Sequence, residues 1–96
     1  MISVSERTNE GLVVRFVCAY SDSSWPTMRS CYHEMRGRFG KRVVHSLCVQ
    51  AKRYMRARRL WLAAVEKRDW AGTNRPYNLM ADYMYQIKRL IDQVAS

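Results

Sequence analysis

The middle third of this sequence lacks acidic residues, since no Asp or Glu occurs between Glu34 and Glu66. The other eight of the 17 basic residues balance the eight acidic ones, so the formal net charge of +9 arises from this one segment. A concentrated charge produces a local field, which predicts that the segment binds something acidic. Its basic residues are Arg36, Arg38, Lys41, Arg42, Lys52, Arg53, Arg56, Arg58 and Arg59.

Long apolar runs are also missing. No run approaches the roughly twenty residues that a membrane-spanning helix needs, and the N-terminus lacks the basic and apolar parts of a signal peptide. We therefore expect a cytoplasmic protein. The apolar fraction of 48% excludes a disordered basic tail. We assign residues 1–96 to a single small domain.

The cysteines are few and odd in number. Cys18, Cys31 and Cys48 are widely spaced, which is typical of reduced, buried thiols and not of a disulfide framework. The alternative is a zinc site formed by Cys31, His33, His45 and Cys48. Cys31 and His33 would point to opposite sides of a helix, and no Cys-x-x-Cys pair is present. We predict neither a metal nor a cofactor.

Catalytic motifs are absent as well. The sequence has no glycine-rich phosphate loop, no Gly-x-Ser-x-Gly and no His-Glu-x-x-His. Cys48 and His45 are the residue types of thiol catalysis, but Cys48 falls at the edge of an apolar arc and His45 just beyond it. This pattern is commoner for a packed cysteine beside a half-exposed histidine. We predict a protein that is not an enzyme.

The first apolar segment is typical of an amphipathic helix with Asn9 as its cap. The alternative is a strand that forms a β-hairpin with residues 2–4 through the turn at 8–11. A lone hairpin is marginally stable, which favours the helix. The apolar positions are Leu12, Val13, Phe16, Val17 and Tyr20.

A second helix is predicted after the connector at residues 21–24, with Pro26 in its first turn. Gly37 and Gly40 mark its end and a tight turn. The core-facing stripe consists of Met28, Tyr32, Met35 and Phe39.

The third helix is predicted from Arg42 to Trp70, with apolar residues on a little under half of its circumference and basic residues opposite. Arg58 falls inside the apolar arc, so we predict that it pairs with Asp82 or with carbonyls at a helix end. Leu60 falls on the basic face, where a protein partner would bury it. The apolar arc contains Val43, Val44, Leu47, Cys48, Ala51, Tyr54, Met55, Trp61, Leu62 and Val65.

A fourth helix follows a turn in which Gly72 closes the third helix and Asn74 caps the next. The short connection predicts an antiparallel pair. The expected fold is therefore all-α, with about four helices and one long basic central helix antiparallel to the C-terminal helix. The apolar stripe of the fourth helix consists of Tyr77, Met80, Met84, Ile87, Ile91 and Val94.

In size, basic charge, free cysteines and lack of a known motif, the chain resembles the small bacteriophage accessory proteins that inhibit or redirect host defence nucleases, such as the anti-RecBCD proteins of lambdoid phages. The resemblance is one of kind and transfers no functional residue. It implies a modulator that binds a host protein complex acting on nucleic acid, for example a nuclease or a helicase. The candidate partner-binding residues are Arg36, Arg38, Lys41, Arg42, Lys52, Arg53, Arg56, Arg59 and Leu60.

The alternative function is direct DNA or RNA binding. The basic residues are numerous enough to neutralise roughly six or more phosphates. No reading module is visible, so little base specificity is expected. The aromatic residues that would stack on bases are mostly predicted to face inward, with Phe39 and Trp70 as the exceptions.

A further hypothesis concerns the Arg75-Pro76 bond. An exposed X-Pro bond beside an aromatic residue can populate both isomers and would offer a contact for a prolyl isomerase. The competing interpretation is that Pro76 simply starts a helix.

Overall fold

The computed structural model describes residues 4–95, and these residues form helices and turns with no strand among them. The all-α prediction is confirmed, and the N-terminal segment is a helix, not a hairpin strand. Residues 2 and 3 of the alternative hairpin lie outside the described residues. The elements are a 3-10 turn at Val4–Glu6, α1 at Asn9–Ser21, α2 at Trp25–Phe39, α3 at Lys41–Glu66, a 3-10 turn at Ala71–Thr73, and α4 at Asn74–Ala95.

The hydrophobic core lies at one end of the molecule. It takes Leu12, Met35, Leu47 and Ile87 from the four helices, and its continuous cluster on α3 ends at Ala51, with Met55 and Ala57 buried further along that helix. Burial of each large side chain stabilises the fold by about 1.5–3 kcal/mol. Beyond this core, α3 and α4 continue as an antiparallel pair that packs mainly against itself. The molecule is accordingly elongated, with extents of 42 × 27 × 20 Å.

Helix α1 begins at a capping threonine. Thr8 Oγ1 accepts a hydrogen bond from the Gly11 N–H at 3.1 Å, and this satisfies one of the free donors of the first turn. The prediction that Asn9 is the cap is wrong by one residue. The Asn9 side chain accepts a hydrogen bond from Arg38 instead.

Helices α1 and α3 end in the same way, with a non-glycine residue in the left-handed conformation. Ser23 (φ 56°) and Arg68 (φ 55°) follow the last turns. In α3 the Arg68 and Asp69 amides donate to the carbonyls of Val65 and Ala64, the two bonds of a Schellman motif. The helix therefore ends at Glu66, four residues before the predicted Trp70, and Gly72 does not close it.

Gly40 alone joins α2 to α3. Its φ of 85° and ψ of 164° lie in a region that is essentially restricted to glycine. This conformation turns the chain within one residue, so that α2 ends at Phe39 and α3 begins at Lys41. The prediction that Gly37 also marks the turn is wrong, because Gly37 lies inside α2.

We expect Gly40→Ala to lower the free energy of unfolding by about 1–3 kcal/mol, because a Cβ is strained at this φ whatever space surrounds it. Urea unfolding followed by circular dichroism measures the change. Gly37→Ala is the matched control: no atom lies within 4 Å of its added Cβ, and alanine is the better helix former by about 0.5–1 kcal/mol. Destabilisation by both substitutions, or by neither, would contradict the assignment.

The predicted stripe of α4 is buried only in its C-terminal half. Ile87 and Ile91 are buried, whereas Tyr77 is 60% exposed and Met84 is 38% exposed. Pro76, which is not part of the predicted stripe, is buried. Helix α4 packs mainly against α3 and much less against α1.

Among the described residues, no helix combines the length and the apolar character needed to cross a membrane.

Candidate partner-binding groove on the basic face

The exposed face of α3 carries cations from Lys41 to Arg59, with none between Arg42 and Lys52 and none in the last turn. At 100° per residue, six of the predicted cations fall within an arc of about 120°, and no carboxylate shares that arc. In residues 4–95 the only ion pair joins Arg38 to Glu34, so no carboxylate side chain of these residues forms an ion pair with this face. The six exposed cations are Lys41, Arg42, Lys52, Arg53, Arg56 and Arg59.

Arg38 does not belong to this exposed face, which corrects its assignment as a partner-binding residue. Its side chain is 20% exposed and turns back toward the N-terminal segment. Arg36, two residues earlier on α2, is exposed. The Arg38 guanidinium donates to Glu34 Oε1 (3.0 Å), Asn9 Oδ1 (3.2 Å) and the carbonyl oxygens of Arg7 (2.6 Å), Val4 (3.3 Å) and Ser5 (3.0 Å).

Arg58 finds a partner at a helix end, but not the predicted one. Its Nη1 donates to Ser21 Oγ at 3.1 Å, and Ser21 is the last residue of α1. A cation is favoured there because the helix dipole places partial negative charge at a C-terminus. The predicted pairing with Asp82 is wrong.

A groove of about 370 Å³ lies between α3 and α4, at the edge of the basic face. Ala57 is buried, and its small side chain leaves room above it. Leu60 lies in the groove with 57% of its surface exposed, which confirms its predicted position on the outer face of α3. The lining residues are Arg53, Arg56, Ala57 and Leu60 from α3, and Arg75, Pro76, Leu79 and Tyr83 from α4.

The groove combines an apolar floor with a cationic rim. Arg53, Arg56 and Arg75 are exposed beside Leu60, and no carboxylate lines the groove. Guanidinium groups bind carboxylates in a bidentate manner, and an apolar floor binds an aliphatic or aromatic anchor. The site therefore suits an acidic segment that carries an apolar side chain.

The Arg75-Pro76 bond does not have the exposed position that the prolyl-isomerase hypothesis requires. The peptide bonds of the described residues are all trans, and Pro76 is buried in the first turn of α4. The premise of an exposed X-Pro bond is therefore wrong, and we do not carry the prolyl-isomerase contact further. Both residues line the same groove as Arg53, Arg56 and Leu60.

The remaining predicted cations lie outside the groove. Lys41 and Arg42 border a shallow depression with His45 at the start of α3. Lys52 lies on the other side of the basic face from Arg53, next to α2. Arg59 is exposed and lines neither the groove nor the depression beside His45. The predicted set is thus divided between α2 and α3, and three of its members, Arg53, Arg56 and Leu60, lie together in the groove.

The cysteines and histidines are not gathered into one site. Cys31 is buried, whereas His33 and His45 are exposed. Within residues 4–95, no three His, Cys, Asp or Glu side chains are placed to hold a metal ion. Burial raises the pKa of the Cys48 thiol despite the opposing charge of Lys52, and a protonated thiol is a poor nucleophile. Cys18 is exposed, so the prediction that every thiol is buried is wrong.

Sequence reasoning missed the α4 wall of the groove. Pro76, Leu79 and Tyr83 follow one another at spacings of three and four, which is the signal of a helical row. This row lies beside the predicted stripe through Tyr77 and Met84. The apolar pattern alone could not decide which of the two rows faces α3.

Comparisons of the chain with protein-family models, with curated proteins and with solved structures give no match.

Proposed function

We propose that this protein is a small, non-enzymatic interaction protein that binds a host enzyme acting on nucleic acid and inhibits or redirects it, as phage accessory proteins do. The binding site is the groove between α3 and α4. The observation that carries the proposal is the position of Leu60, 57% exposed in a groove whose rim is formed by Arg53, Arg56 and Arg75.

The apolar floor favours a protein partner over a phosphate backbone. An arginine rim alone would bind either a protein or a nucleic acid, since guanidinium groups bind both carboxylates and phosphates. Leu60 and Leu79 offer apolar surface, however, and a protein side chain can bury it. A leucine surrounded by cations is a poor element for a surface that binds phosphates alone.

The class of partner rests on separate support. The resemblance in kind to phage accessory proteins indicates a host nuclease or helicase, and such enzymes act in the cytoplasm, where we place this protein. The charge and shape of the groove indicate an acidic patch with an apolar anchor on that enzyme. Occupation of such a patch would inhibit or redirect the enzyme without any chemistry by this chain.

Affinity capture from a host lysate, with and without nuclease treatment, tests the proposal. Recovery of one defined protein complex that persists after nuclease treatment and raised salt is expected. Binding that disappears under both conditions would instead identify direct DNA or RNA binding, which is the alternative function, because phosphate contacts are strongly salt-dependent.

We expect Leu60→Ala to weaken binding of the captured complex by about 1–2 kcal/mol, or roughly 5- to 30-fold, because the anchor of the partner loses its apolar contact. Biolayer interferometry with the captured complex measures the change. Leu62→Ala is the control, since it makes the same substitution on the same helix outside the groove. Equal affinities of the two variants would rule out the groove as the contact.

A further inference from the structure

A second concave surface lies on the other side of the basic face, between the end of α1, the start of α2 and the middle of α3. Its volume is about 350 Å³, within the size range of small-ligand pockets. Trp25 stands at its edge with 61% of its surface exposed. The lining residues are Phe16, Tyr20, Trp25, Met28, Arg29, Tyr32, Cys48 and Lys52.

The aromatic content of this pocket is high. Tyr20 comes from α1, Trp25 and Tyr32 come from α2, and Phe16 of α1 also lines the pocket, 3% exposed. Aromatic rings at the rim of a pocket provide flat apolar faces on which another planar ring can stack. The prediction that Phe39 and Trp70 are the outward aromatic residues missed Trp25, and Phe39 is buried.

The charge of the pocket is positive. Arg29 and Lys52 both line it, both are exposed, and no carboxylate is among the lining residues. The first turn of α2 also lines the pocket and contains no acidic residue, so the partial positive charge of that helix end is not cancelled locally. The preferred ligand is therefore planar and anionic.

We infer that this pocket binds an unpaired nucleotide of single-stranded DNA or RNA. The base stacks on Trp25 among the tyrosines, and the adjacent phosphates contact Arg29 and Lys52. Bases in a duplex are already stacked on their neighbours, so they cannot present a free face to Trp25. Stacking combined with a cationic groove is the arrangement by which proteins bind single strands with little sequence preference.

This inference does not rest on the proposed function, because the pocket and the α3–α4 groove share no residue. Lys52 and Arg53 are adjacent in sequence but line different surfaces. A protein that contacts an enzyme through the groove and single-stranded nucleic acid through the pocket would act where the enzyme exposes single-stranded DNA or RNA.

Fluorescence anisotropy with the full chain tests the inference. The probes are a labelled oligothymidylate of about ten nucleotides and a strand of the same length with abasic residues, which has the phosphates but no bases. We expect the oligothymidylate to bind at least about 10-fold more tightly than the abasic strand. Equal affinities would overturn the inference and leave a phosphate contact alone.

Three tryptophan variants assign the effect to the pocket. Trp25→Ala should abolish the preference for bases, whereas Trp70→Ala should retain it, because Trp70 is 64% exposed but lies outside the pocket. Trp25→Phe should retain most of the preference, since its ring can still stack. Loss in both alanine variants, or in neither, would contradict the site. Lys52→Ala, which tests the pocket without altering Trp25, should reduce the salt dependence of binding.

Discussion

Exchange of Arg53 and Arg56 for glutamate is expected to weaken binding of the proposed protein partner by at least about 100-fold, because two carboxylates would then face the acidic patch that we propose for that partner. Like charges brought together at an interface cost several kcal/mol, and each 1.4 kcal/mol is a factor of ten. The substitutions should leave the fold intact, since both side chains are exposed on α3. They also remove the repulsion between Lys52 and Arg56, which lie one helical turn apart.

The matched control is the reversal of Arg42 and Arg59. These two arginines are exposed on the same face of the same helix, but they do not line the groove. Both double variants lower the net charge of +9 by four. A general electrostatic attraction would be weakened similarly by either pair. The groove is the site if the Arg53 and Arg56 pair has much the larger effect on the dissociation constant, and equal effects would contradict it.

Arg38→Ala is expected to lower the free energy of unfolding by about 2–4 kcal/mol. Hydrogen bonds from a charged group each contribute roughly 1.5–3 kcal/mol, and Arg38 connects Glu34 to the carbonyls of the N-terminal segment. In a domain with a total stability of about 5–15 kcal/mol, the loss is large. Arg38→Lys should restore little of it, because one ammonium cannot replace the planar fork of a guanidinium.

Urea unfolding with amide hydrogen exchange measures this effect. Arg36→Ala provides the comparison, since Arg36 is exposed two residues earlier on the same helix. Exchange of amides in residues 4–9 should accelerate in Arg38→Ala and remain unchanged in Arg36→Ala. The same unfolding midpoint for both variants would show that Arg38 does not hold the N-terminal segment.

The helices were predictable because their signals are local. The apolar spacing of α2 and α3, Pro26 in the first turn of α2 and the turn before α4 predicted the all-α fold and the antiparallel pair. The errors lie at helix ends where the chain uses an unexpected residue. Arg68 adopts the left-handed conformation that usually belongs to glycine. A helix end predicted from Gly72 is therefore too late in the sequence.

Part of the candidate site was predictable and part was not. Leu60, Arg53 and Arg56 were found because they share one face of one helix, and a helix face can be read from the sequence alone. Leu79 and Tyr83 were missed because their position depends on how α4 is rotated against α3. Arg38 was misassigned for a related reason, since its carbonyl partners lie more than thirty residues away in the sequence. A possible signal was Glu34, four residues before it on the same helix.

The one-sided position of the core has a consequence for how the protein meets its partner. The main core cluster ends at Ala51 on α3, so we expect the part of the α3–α4 pair beyond it, which carries the groove, to open more readily than the base of the molecule. The partner proposed for the groove would add apolar contacts to this part of the molecule. Part of the binding free energy would then be used to order this end of the α3–α4 pair. The affinity would therefore depend on how well ordered this end is in the free protein, as well as on the contacts formed.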